Sequence, residues 1–92
     1  MYSQYYNITI KNLDTYVNLT NVYKHLLINN KSVYEIKVYY RKTLALVIPP
    51  QSNIVLYDVF NVSRDVTKSD VNVQLMFEGV PEAEIELINF GV

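Results

Sequence analysis

His25 is the only histidine in the chain, and there is no cysteine. Nucleophilic catalysis needs a nucleophile, a base to activate it and a group to orient the base. A single imidazole inside the apolar run His25-Leu-Leu-Ile-Asn29, with no Gly-x-Ser-x-Gly elbow, supplies no such set. Lack of cysteine removes a disulfide scaffold, a Cys-based zinc site and a thiol nucleophile. The two glycines, Gly79 and Gly91, are too few for a phosphate-cradling loop, which sets aside dinucleotide and P-loop chemistry. The expectation is a protein with no catalytic, cofactor-binding or metal-binding residues, and so not an enzyme.

Charged groups offer three other constellations. Glu82, Glu84 and Glu86 recur at spacing two, which puts them on one side of a strand. Paired carboxylates can do acid–base work or hold a hard cation. On an edge strand, however, such a row is ordinarily a solvated face that blocks edge-to-edge pairing. Asp65 and Asp70 with Ser63 match no calcium-loop spacing. Lys37-Val-Tyr-Tyr-Arg-Lys42 interleaves cations with aromatics, as single-stranded nucleic acid would require. Alternation sends Tyr40 to the face opposite Lys37 and Tyr39, and the pI of about 5.7 opposes a general nucleic-acid binder. Protein association is the remaining use. The predicted binding face carries Glu35, Lys37 and Tyr39 with the neighbouring Arg41-Lys42 end, and its acidic counterpart is Glu82, Glu84 and Glu86. Exposed tyrosine beside charge gives a large contact area at low side-chain entropy cost.

The elements that must hold these residues are strands. Ninety-two residues make one domain, spanning 1–92, with 50% apolar and 18% charged residues. Nine tyrosines and no tryptophan suit strands that are apolar on one side and wet on the other. Tyr6, Ile8 and Ile10 alternate with polar neighbours, and Thr15 to Leu19 suits a second short strand. Residues 24–29 read as a strand, although Val22, Tyr23 and Leu26 after Thr20-Asn21 also have the spacing of one helical turn. Val33 to Tyr40 alternates cleanly. Thr43 to Ile48 is almost wholly apolar, the pattern of a strand buried on both faces. Pro49-Pro50 ends it, Asn53 to Phe60 resumes strand character, and 61–70 reads as a loop. Residues 71–88, turning at Gly79-Val-Pro81, read as a hairpin.

The pattern predicts an all-β chain: an antiparallel β-sandwich or small barrel of about seven short strands with little helix. Its core is predicted to hold Ile36, Val38, Leu46, Ile48, Val73, Leu75, Ile85 and Leu87. Residues 1–42 hold six Lys/Arg and two Asp/Glu, whereas 43–92 hold two and seven. Interleaving strands would blur this segregation, and a dipolar domain would stack on copies of itself. The opening Met1-Tyr-Ser-Gln-Tyr-Tyr-Asn7 has neither the basic nor the apolar region of a signal peptide. No run is long enough to span a membrane as a helix. Four Asn-x-Ser/Thr sequons, at Asn7, Asn18, Asn30 and Asn61, exceed chance and are read as composition rather than as glycosylation sites.

Ile28-Asn-Asn-Lys-Ser32, then Ile36-Lys-Val38, then Val47-Ile-Pro-Pro-Gln-Ser-Asn-Ile-Val-Leu56 form a recognisable series. It resembles small β-sandwich virion proteins of tailed phages, of the capsid-decoration and head-fibre-base type. The resemblance covers about residues 25–58. Such modules usually carry glycine after the Pro-Pro, where this chain has Gln51-Ser52. The resemblance implies a structural role, docking in many copies on a capsid or tail lattice within a virion, and brings no catalytic residues with it. The function expected is therefore that of a non-enzymatic assembly protein bound to other virion proteins or to copies of itself, with no small-molecule substrate, cofactor, nucleic acid or membrane. The alternative is a small soluble viral inhibitor or adaptor in the host cytoplasm, binding one host protein through an exposed face such as 82–86.

Overall fold

The computed structural model describes residues 2–19, 25–57 and 73–91. These form eight strands: β1 Tyr2–Ile10, β2 Thr15–Leu19, β3 His25–Asn30, β4 Ile36–Tyr40, β5 Thr43–Ile48, β6 Asn53–Leu56, β7 Val73–Phe77 and β8 Ala83–Gly91. No helix occurs among the described residues. The helical turn considered near Thr20, the 61–70 loop, its acidic residues and the Asn61 sequon lie outside them.

The strands make two four-stranded sheets, in the orders β1-β8-β3-β6 and β2-β7-β4-β5. Every pairing is antiparallel. The fold is thus a sandwich and not a barrel, with one strand more than the pattern predicted. Apart from the β4–β5 hairpin, each successive strand crosses to the other sheet. This is jelly-roll order. Each sheet takes two strands from each half of the chain, so the opposed halves interleave.

Alternation explains why the two sheets stack. Ile8, Ile10, Leu26, Ile28, Ile85 and Leu87 point inward from the first sheet. Val17, Leu19, Ile36, Val38, Ile48, Leu75 and Phe77 meet them from the second. Seven of the eight predicted core residues are buried. Leu46 is half-buried at the edge of the core.

Three expectations about elements are corrected. Residues 71–88 are not a hairpin: β7 and β8 lie in different sheets, and 78–82 is a corner between them. Alternate burial fits either arrangement; the pairings put β7 between β2 and β4 and β8 between β1 and β3. β5 is not buried on both faces but is the edge of the second sheet, with Thr43, Leu44, Ala45 and Val47 exposed. β8 is not an edge strand, because β1 and β3 flank it. Its glutamates therefore protect no edge. In addition, β4 starts at Ile36, and residues 33–35 belong to a corner.

Four corners, 11–14, 31–35, 49–52 and 78–82, gather at one end of the sandwich and are laced together. Asn30 is wholly buried there. Its Nδ2 donates to the carbonyls of Tyr34 at 2.7 Å, Pro49 at 3.1 Å and Ile48 at 3.3 Å. Its Oδ1 accepts from Ser32 N at 2.9 Å and Ser32 Oγ at 2.6 Å. Gln51 N donates to Ser32 O at 3.0 Å, and Asn30 N to Ser52 O at 2.8 Å. The Asn-Lys-Ser and Pro-Pro-Gln-Ser segments thus form one hydrogen-bonded unit joining both sheets. On the other side of this end, Gly79 N donates to Asp14 Oδ1 at 2.8 Å and Val80 N to Lys11 O at 3.0 Å. A Cβ on Gly79 would stand 2.9 Å from the Leu13 carbonyl carbon, so the two corners meet only because this residue is glycine.

Candidate functional site

Alternation along β4 turns Ile36, Val38 and Tyr40 inward and Lys37 and Tyr39 outward. Register then builds a row across the second sheet: Tyr16 opposes Met76, Met76 opposes Tyr39, and Tyr39 opposes Leu44. Tyr16 is 61% exposed and Leu44 47%. Leu44 joins this row through a bulge. The register shifts between Val38 and Tyr39, which leaves Ala45 as the extra residue of β5. Leu46 therefore packs inward beside Val38 while Leu44 stands outside beside Tyr39.

Arg41 and Lys42 make the two-residue β4–β5 turn, at φ 52° and 64°. Left-handed φ at both positions is type I′ geometry, for which Asn-Gly is the favoured pair. The Arg41 guanidinium lies 5.1 Å from the Tyr40 ring centre. The turn closes one side of a 380 Å³ concavity lined by Tyr16, Tyr39, Tyr40, Arg41, Lys42, Val73, Gln74 and Met76. On the other side of Tyr39, a 320 Å³ depression is lined by Glu35, Lys37, Glu78, Gly79 and Val80. The Tyr39 hydroxyl donates to Glu78 at 3.3 Å. The five residues expected from 35–42 thus divide: Tyr39, Arg41 and Lys42 line the concavity at the turn, whereas Glu35 and Lys37 line the depression towards the corners.

The three glutamates lie elsewhere. Glu82 is exposed in the 78–82 corner, and Glu84 and Glu86 point outward from β8 on the first sheet. Glu86 is already engaged. Its carboxylate accepts from the Tyr5 hydroxyl, pairs with Lys31 and accepts from Asn29 Nδ2 at 3.3 Å. The Lys31 ammonium, and then the Tyr5 hydroxyl, hold Glu86 below the ordinary carboxylate range. The same contact with Glu86 raises both Tyr5 and Lys31. Glu82 and Glu84 are both exposed.

A second apolar row was not foreseen. On the outer face of the first sheet Tyr5 opposes Ile88, Ile88 opposes Leu27, and Leu27 opposes Val55. Beside it the His25 ring lies 5.1 Å from Tyr57 and 5.2 Å from Phe90. The signal was present: Leu26-Leu-Ile28 and Leu87-Ile88 are unbroken apolar runs, which mark strands apolar on both faces. Asn7 and Asn18 of the sequons are exposed, and Asn30 is buried.

Among the described residues no group of three or more His, Cys, Asp and Glu is placed to hold a metal. Nor, among them, is any helix long and apolar enough to cross a membrane. The arrangement defines an all-β sandwich whose two outer faces each carry an apolar row the full width of the sheet. No protein family, curated protein or solved structure matches the chain.

Proposed function

We propose that this chain is a non-enzymatic assembly protein, a virion component that docks on a capsid or tail lattice or on copies of itself. The observation that carries this reading is the row Tyr16–Met76–Tyr39–Leu44. A lone soluble domain gains nothing by exposing a continuous aromatic and aliphatic band, whereas an interface centre is built from such side chains. The jelly-roll order adds support by analogy, since viral capsid domains use it, although fold alone does not assign function.

The test is light scattering of the pure protein across concentration and salt, together with co-sedimentation with capsid or tail particles. Mass above the monomer, or binding to particles, is expected. A chain that stays monomeric in every condition and pellets with no particle would reject the reading.

A further inference from the structure

Among the described residues, interleaving of the strands does not cancel the charge asymmetry but turns it along the molecule. The fold measures 40 × 23 × 18 Å. Its nine-residue strands span about 30 Å, so the long axis follows the strands. All six described carboxylates, Asp14, Glu35, Glu78, Glu82, Glu84 and Glu86, lie in the half that holds the laced corners, with three lysines. The opposite end presents Arg41 and Lys42 with no described carboxylate near them.

We propose that copies of this chain associate head to tail along the strand axis. The Arg41-Lys42 turn and its tyrosine-lined concavity receive the Pro81-Glu82-Ala83-Glu84 corner of the next copy. This rests on the assembly reading and specifies the partner and its chemistry.

Three observations meet here. Among the described residues, the concavity joins two cations to three tyrosines and is lined by no carboxylate. The corner offers its chemical complement, an exposed proline ring followed by two exposed carboxylates. Proline packs flat on a tyrosine face, and the carboxylates reach the guanidinium and the ammonium. Finally, Arg41 and Lys42 both hold left-handed backbone that costs folding free energy without glycine or asparagine. Strain of this kind accumulates where side chains serve a site. Because the two patches differ and sit at opposite ends, the contact is heterologous and propagates to a ring or a filament.

Complementary charge swaps test it. One variant carries Arg41→Glu and Lys42→Glu, the other Glu82→Lys and Glu84→Lys; all four positions are exposed. Circular dichroism and thermal midpoint check the fold, and the milder pair Lys42→Glu and Glu84→Lys serves if a double variant misfolds. Wild type should associate with rising concentration in sedimentation, about tenfold more weakly at high than at low salt. Each variant alone should be monomeric, and an equimolar mixture should recover association, since each then presents the charge the other lacks. Variants that associate alone as wild type does, or a folded mixture that does not, would overturn the head-to-tail contact while leaving assembly through another face intact. A wild type monomeric at all concentrations also overturns it, and particle co-sedimentation then decides the assembly reading separately.

Discussion

Asn30 has every hydrogen-bonding position of its amide in use: three carbonyls on Nδ2 and two Ser32 donors on Oδ1. Asn30→Ala leaves those groups without their partner in a dry corner, so a loss of about 3 kcal/mol is expected. Asn30→Asp keeps the shape but sets a carboxylate against three carbonyl oxygens, and should cost at least as much near neutral pH. Urea denaturation of both variants measures this, and near-normal midpoints would remove Asn30 from its structural role. Gln51 sits at φ 51° after Pro50. Its left-handed backbone is costly for a side chain. Gln51→Gly should therefore stabilise by about 0.5–1 kcal/mol, the strain relieved being partly offset by the entropy of glycine in the unfolded chain. Lys42→Gly, at φ 64°, should gain a similar amount and at the same time weaken association. A thermal melt with a sedimentation run on one sample separates the two effects.

At the scale of elements, β5 shows what an edge position does to an apolar strand. Ile48 is wholly buried, whereas Leu46 beside the bulge is half-buried. Ile48→Ala should cost about 2–5 kcal/mol, as full burial dictates. Leu46→Ala should cost about 1–2 kcal/mol, because less of its surface leaves water on folding. Equal losses in chemical denaturation would mean that Leu46 is as fully buried as Ile48. The exposed apolar character of β5 also shows why the 43–48 pattern misleads. A run apolar at every position fits a central strand, and equally fits an edge strand whose outer face belongs to an interface.

At the scale of the whole molecule, stability and association draw on different surfaces. The core is a single cluster between the sheets, and the Tyr16–Leu44 row lies outside it. Tyr16→Ser with Leu44→Ser should change folding stability by no more than about 1 kcal/mol. The same pair should lower association, or binding to particles, at least tenfold, the usual consequence of truncating interface anchors. Sedimentation and denaturation of this variant read the two effects independently. Unchanged association would remove this row from the working interface and leave the charged head-to-tail contact, or the first sheet's row of Tyr5, Ile88, Leu27 and Val55, to carry it.

Strand identity was written locally. Period-two alternation with β-branched and aromatic side chains marks β1, β4, β7 and β8, because a strand's two faces meet different solvents residue by residue. The same alternation chose seven of eight core residues, since only one face of each strand can turn inward. The strong hydrogen-bonding chemistry of Asn-Lys-Ser and Pro-Pro-Gln-Ser marked two corners correctly. Which strands are neighbours is a non-local fact. Gly79-Val-Pro81 reads alike whether the chain folds back in one sheet or crosses to the other, so the hairpin at 71–88 gave way to a corner. Only the tertiary pairing could set Tyr16, Met76, Tyr39 and Leu44 in line, because they come from four strands and one reaches its place through a bulge. Likewise the opposed charges of the two halves appear in the linear sequence, but their direction in space does not. Strands from both halves alternate within each sheet, and the described carboxylates gather in the half that holds the corners while the Arg41-Lys42 turn stands at the other end.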